Sequence, residues 1–250
     1  MKTMFEISTI NGQFYYDFIY FLAVFFIGVL FILDGKRKKL PLAEWSLIFF
    51  SGFIFFIIGT KIFTYSLGDW KEIVSTFSFP YTERKTVLGG VICLIIGVWI
   101  AKKIIRFPHP VMDSFAVSFP IAMAIQSIGC LMAGCCFGAP TDAPWAINYS
   151  FPSLAHYAHL SRGLVTETSS TSLPVHPTQL YQLLLGLLIA FVVWKLRNKL
   201  KHSGSLFLTS IALYCVARFL IEFWSDSTFN RNINNEWMGI KYLQWALLGA

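Results

Sequence analysis

Charge is scarce in this chain. Lys, Arg, Asp and Glu together make up 13% of its 250 residues, about half the share found in water-soluble domains. Hydrophobic residues make up 56%, and Phe alone occurs 25 times. So little charge excludes an ordinary soluble domain and indicates an integral membrane protein. No cleavable leader is expected either. Residues 1–13 are polar and carry no Ala-x-Ala site, so the first apolar run is expected to stay in the mature protein. Cysteine is sparse as well, five in all, and the spacing of the five matches no standard zinc finger.

What is present is a series of apolar runs long enough to cross a bilayer. Spans are predicted at 18–33, 45–67 (interrupted by Lys61), 86–100, 111–133, 180–194 and 206–223. A seventh begins at 239, and the chain stops about three turns later. The fold class is therefore an all-α integral membrane protein of about seven transmembrane helices, forming a single membrane domain over 1–250. Residues 134–175 between helices four and five are expected to form an extracytoplasmic loop subdomain. There, Trp145 and Tyr149 pack on the membrane surface and the Ser-Ser-Thr-Ser run at 169–172 is flexible. Residues 68–85 are expected to be a polar connection. Asp113, near the start of span four, suits a partner for a helix N-terminus better than a proton carrier. Gly89, Gly90 and Gly97 give span three a small-residue face for close packing.

The net charge of +7 raises nucleic acid as a partner, but the distribution of the charge argues against it. The connections after spans one, three and five hold eleven Lys and Arg. If every span crosses, these connections share one side, which the positive-inside rule makes cytoplasmic. The amino terminus, the 68–85 connection, the Cys-rich loop and the 224–238 loop are then expected to lie outside.

Arg218 and Glu222 stand four apart on span six and share a face. Charged side chains are costly in hydrocarbon, so such a pair is a candidate site. It offers a guanidinium for a phosphate and a carboxylate for a proton; the alternative is a salt bridge that locks the helix to a neighbour. Tyr214 lies one turn earlier on the same face and Asp226 one turn later. His176-Pro177-Thr178-Gln179-Leu180-Tyr181-Gln182 opens span five. Pro177 suits a first helical position, and Gln179 and Tyr181 add hydrogen-bonding groups at headgroup depth. The segment reads either as cavity lining or as an N-terminal cap with interfacial anchors. Cys130, Cys135 and Cys136 fall within seven residues where span four ends. With His176 they could hold zinc, or they could form a disulfide on an oxidising side. Small apolar packing is the reading favoured for most of them, and no metal is expected. Arg84 and Lys85 before span three serve either as interfacial anchors or as contacts to anionic headgroups.

In order and spacing these segments resemble the prolipoprotein diacylglyceryl transferases of bacteria over nearly the whole chain. His176-Pro177-Thr178-Gln179-Leu180-Tyr181 looks like the family's His-Pro-Ser-Gln-Leu-Tyr. Tyr214, Arg218 and Glu222 look like its functional Tyr, Arg and Glu, and Tyr16 falls where it keeps an important Tyr. Asp113, Gly129, Gly138, the Pro-Thr-Asp-Ala-Pro-Trp-Ala run and Met238-Gly239 fit its pattern.

The resemblance implies a multi-pass protein of the bacterial inner membrane, with its N-terminus outside and a cavity open to the outer leaflet. The implied reaction transfers diacylglycerol from phosphatidylglycerol, or a related phospholipid, to the lipobox cysteine of a preprolipoprotein. Glycerol phosphate is released, and no metal or organic cofactor is involved. Arg218, Glu222, Tyr214 and His176 would be catalytic. Tyr16, Gln179, Tyr181, Gly138 and Lys85 would bind substrate. Three of the family's positions differ in this chain: its signature Arg is Ser127, its Asn is Cys130 and its His is Leu88. A Ser cannot replace a cation at a phosphate. Two alternatives therefore stay open: a paralogue acting on another phospholipid or acceptor, and a non-enzymatic lipid-binding or assembly protein.

Overall fold

The computed structural model describes residues 5–9, 11–65, 67–79, 86–226, 236–237 and 240–241. Its helices are α1 (Gly12–Arg37), α2 (Leu42–Ile62), α3 (Leu67–Thr76), α4 (Val87–Ile104), α5 (Ser118–Ala133), α6 (Leu154–Leu160), α7 (Thr178–Leu196) and α8 (Ser205–Glu222). The strands are β1 (Phe5–Ile7), β2 (Ile147–Tyr149), β3 (Glu236–Trp237) and β4 (Ile240–Lys241). Six helical segments among the described residues are long and apolar enough to cross a membrane: α1, α2, α4, α5 with the turn before it, α7 and α8. At 1.5 Å per residue they match about 30 Å of hydrocarbon. For the expected seventh span, Ile240 and Lys241 are extended and paired with Trp237 and Glu236; the rest of it lies outside the described residues.

The chain forms two compact units, residues 28–112 and residues 1–27 with 113–250. In the first, α2 packs on α4. Gly59 and Gly89 meet where neither helix carries a Cβ, and Gly90 and Gly97 lie against Phe56 and Phe55. This is the small-residue contact expected of span three. Trp45 is fully buried, stacks on Phe31 at 4.3 Å and donates its indole N–H to the Phe31 carbonyl at 2.7 Å. Span two ends at Ile62 rather than 67. Lys61 sits in its last turn, where a cation is favoured by the helix dipole. The 68–85 connection contains a helix, α3, which buries Ile73 and exposes Val74.

In the second unit α5 packs on α7, and α7 on α8. Span four runs over Met112–Ala133, within one residue of the expected start, but it is not one continuous α-helix. A 3-10 turn occupies Met112–Ser114 and α5 begins at Ser118. Asp113 explains the break. Its two carboxylate oxygens accept the backbone N–H groups of Gly204 (2.8 Å) and Phe207 (3.0 Å), closing the N-terminus of α8. Asp113 thus partners a helix N-terminus, and it is that of α8. Asp113→Ala should cost about 1–2 kcal/mol, read as a lower thermal midpoint in detergent; an unchanged midpoint would refute the capping role.

Residues 134–177 build a small folded segment. β2 pairs in parallel with β1 and places Tyr149 in a buried cluster with Phe137, Ile147, Ala155, Ala158 and Val175. Tyr149 is therefore core and not a membrane-surface anchor; Trp145 is exposed. The 169–172 run is pinned. Phe151 N–H donates to the Ser170 carbonyl, Ser172 N–H to the Tyr149 carbonyl, and the His156 ring nitrogen Nε2 bonds the Ser169 carbonyl, each at 2.8 Å.

Candidate active site

The site begins where α5 ends. Gly134 closes the helix in the left-handed region (φ 64°), and its N–H reaches the Cys130 and Leu131 carbonyls. Cys136 also has positive φ (56°), uncommon for a residue with a side chain. Two reversals in three residues fold the turn back on the helix end. The Sγ atoms of Cys130, Cys135 and Cys136 then lie within 4.8 Å of one another, all as free thiols. The cysteines are a cluster rather than scattered packing residues. Within it, hydrogen bonding with Cys130 chiefly pushes the Cys135 thiol well up. Hydrogen bonds from Cys130 and then Cys135 pull the Cys136 thiol well down.

The start of α7 holds this turn in place. Gln179, 2% exposed, donates its amide to the Cys135 carbonyl (2.6 Å) and to the Tyr149 hydroxyl (2.9 Å). Thr178 Oγ1 donates to the Cys136 carbonyl. Gln179 thus holds the backbone of the cysteine turn. Gly138 lies between two chain segments. Its N–H donates to the His176 carbonyl at 3.0 Å, and Ala139 N–H donates to the Trp224 carbonyl at 2.8 Å. Tyr181 accepts from the Trp145 indole at 2.8 Å, and its hydroxyl lies 3.1 Å from His176 Nδ1. That arrangement leaves the tyrosine O–H to donate to the imidazole. Burial lowers the His176 pKa, which keeps the ring neutral and able to accept.

On α8, Arg218 Nη2 lies 3.1 Å from Glu222 Oε2, with Arg218 half-buried and Glu222 buried. Arg218 and Tyr214 line a crevice between α7 and α8 with Gln182 and Ile189. The Arg218 charge reaches Cys136 and Tyr214. Tyr16 and Tyr149 are each within electrostatic reach of Cys130, Cys135 and Cys136. Tyr16, Tyr214, Arg218 and the cysteines thus share one environment. His176 and Tyr181 are joined to it through Gly138. Lys85, Arg84 and Met238-Gly239 lie outside the described residues. Ser127 is buried and donates its hydroxyl to the Met123 carbonyl at 2.8 Å, one turn back on its own helix.

Sequence reasoning missed the partners supplied by distant residues. Arg162 pairs with Asp226 at 2.9 Å across 64 positions. Tyr149 and Gln126 flank the cysteines. No local spacing announces any of these contacts. The one available signal was three cysteines in seven residues, and the left-handed backbone that makes them converge is not written in their spacing.

A family model described as prolipoprotein diacylglyceryl transferase matches residues 2–247. The chain is similar to the phosphatidylglycerol–prolipoprotein diacylglyceryl transferase of Clostridium tetani, 25% identical over 210 residues, covering 81% of this chain and 77% of that protein. The like-named protein of Glaesserella parasuis is 26% identical over 230 residues, 88% of this chain and 78% of its own. That of Bordetella avium is 25% identical over 218 residues, 84% and 76%.

Proposed function

This chain belongs to the prolipoprotein diacylglyceryl transferase family, and on that premise we propose that it moves diacylglycerol from phosphatidylglycerol to the lipobox cysteine of a preprolipoprotein. The match over 2–247 carries the reading. We place the protein in the bacterial inner membrane, multi-pass, with the N-terminus outside. The acceptor thiol loses its proton to water, its sulfur attacks a glycerol carbon, the carbon–oxygen bond breaks, and the electron pair leaves on the phosphate of glycerol phosphate. Arg218 is the cation for that phosphate, and Glu222, buried beside it, holds the guanidinium in place. Tyr214, Tyr16, His176 and Tyr181 line the space around the reacting groups. Gly138 and Gln179 shape the wall.

A second reading is favoured by Ser127, whose hydroxyl is spent on the Met123 carbonyl: a paralogue working on another headgroup or acceptor. One assay separates the two. Purified protein is given phosphatidylglycerol vesicles with a lipobox peptide, with its Cys→Ser counterpart, or with neither, and released glycerol phosphate is followed. Release that requires the peptide thiol supports the transfer. Release without peptide, or release only when another phospholipid replaces phosphatidylglycerol in the vesicles, supports the paralogue. No release from any donor tried would leave a non-enzymatic lipid-binding protein.

A further inference from the structure

We propose that Cys130, Cys135 and Cys136 bind one zinc ion through their thiolates, leaving its fourth position for the incoming thiol of the acceptor. The proposal rests on the transferase reading above and adds to it a direct way to ionise the thiol. Ser127 and Leu88 carry no group that could do so.

Geometry carries the site. Three Sγ atoms lie within 4.8 Å of one another. Zinc–sulfur bonds of about 2.3 Å in a tetrahedron set sulfurs at about 3.8 Å, so side-chain rotation closes the remainder. Adjacent cysteines seldom aim at one point, and here both Sγ atoms lie within 4.8 Å of each other and of Cys130, with Cys136 in the left-handed region. A disulfide would use two of the three sulfurs and needs about 2.05 Å between them. Thiolates select soft or borderline cations, of which zinc takes this number and geometry. The supports for the ligands are built. Gln179 fixes the Cys135 carbonyl, Thr178 fixes the Cys136 carbonyl, and Tyr149 is fixed in turn by Gln179. Three protein ligands with an open position is the pattern of catalytic rather than structural zinc.

Zinc with three thiolates carries one negative charge, and Arg218 is the cation within reach of Cys136. An acceptor thiol that takes the open position loses its proton to water on binding. The zinc-bound sulfur then attacks the glycerol carbon. The sulfur–carbon bond forms, the carbon–oxygen bond breaks, and the electron pair leaves on glycerol phosphate. Nothing is oxidised or reduced.

The test uses the full-length protein purified in detergent without chelators. Zinc is measured by elemental mass spectrometry in the wild type, in Cys136→Ser, in Cys130→Ser/Cys135→Ser/Cys136→Ser, and in Cys93→Ala as the control. About one zinc per chain is expected in the wild type and the control, and about a tenfold or greater loss in the other two. Cobalt-loaded wild type should gain thiolate-to-metal absorption when a lipobox peptide is added, and none with its Cys→Ser counterpart. Far-ultraviolet circular dichroism checks that the variants fold. Zinc absent from the wild type, or retained by the triple variant, overturns the site. So does a count of two missing free thiols without reductant, the mark of a disulfide. Wild-type transfer by the triple variant overturns the role of the metal while the transferase reading stands. Zinc and a cobalt response to the peptide, without any turnover of phosphatidylglycerol, would sink the transferase reading and keep the site.

Discussion

Arg218→Ala should lower kcat/KM for diacylglyceryl transfer by about 10²–10³, the usual loss when a pre-placed charge stabiliser is removed. The guanidinium is half-buried and held at 3.1 Å by a buried carboxylate, so its position is set before substrate arrives. Water cannot substitute at full strength in such a setting, because charge interactions there are screened less than in bulk. The variant also leaves Glu222 buried without its cation, which raises the cost beyond the lost phosphate contact. Arg218→Ala/Glu222→Gln removes that part of the penalty. If the phosphate role holds, the double variant regains thermal stability but not activity. Arg218→Lys should recover only part of the rate, because an ammonium lacks the planar fork that can bind carboxylate and phosphate together. Michaelis analysis with varied phosphatidylglycerol checks this. Activity of Arg218→Ala within a few-fold of wild type would show that the residue is a structural pair only.

Gly138→Ala should disable the protein by a different route. A Cβ there would sit 2.5 Å from His176 Cβ and 2.6 Å from the carbonyl oxygens of His176 and Trp224. Two of those three neighbours are backbone, and both segments are fixed by hydrogen bonds to this stretch, so none can rotate away. Overpacking costs about 1–3 kcal/mol, and here the strain falls on the junction that ties α7 and the end of α8 to the cysteine turn. Both the thermal midpoint and the transfer rate should fall. Gly163→Ala is the comparison. Gly163 also has positive φ (67°) but nothing within 4 Å. It should lose only about 1–2 kcal/mol from backbone strain, with the transfer rate kept. Equal behaviour of the two variants would contradict the close approach at Gly138.

How far these features can be read from the chain alone differs from element to element. The spans were legible because hydrocarbon demands long apolar runs, and Lys and Arg mark their ends. Lys195 stacks over Trp194 at 5.1 Å and Lys103 over Trp99 at 5.0 Å, a pairing that suits a membrane interface. Arg218 and Glu222 were legible because a charged pair inside an apolar run has few explanations. The break before α5 was not. It depends on Asp113 meeting backbone groups more than ninety residues away, and periodicity carries no such information. Tyr149 was misplaced for a similar reason. An aromatic residue in a connecting loop reads as an interfacial anchor, while its burial comes from pairing with β1 near the chain start. Gln179 shows the same limit within a motif. The motif put it at the site, but its amide is used to hold Cys135 and Tyr149.

The most direct measurement is the intact mass of a lipobox peptide after incubation with the purified protein and phosphatidylglycerol of defined acyl chains. The expected result is a mass increase equal to one diacylglyceryl group, placed on the cysteine sulfur by fragmentation and formed about 10²–10³ times more slowly with Arg218→Ala. A peptide of unchanged mass, recovered beside hydrolysed phosphatidylglycerol, would contradict transfer to the thiol.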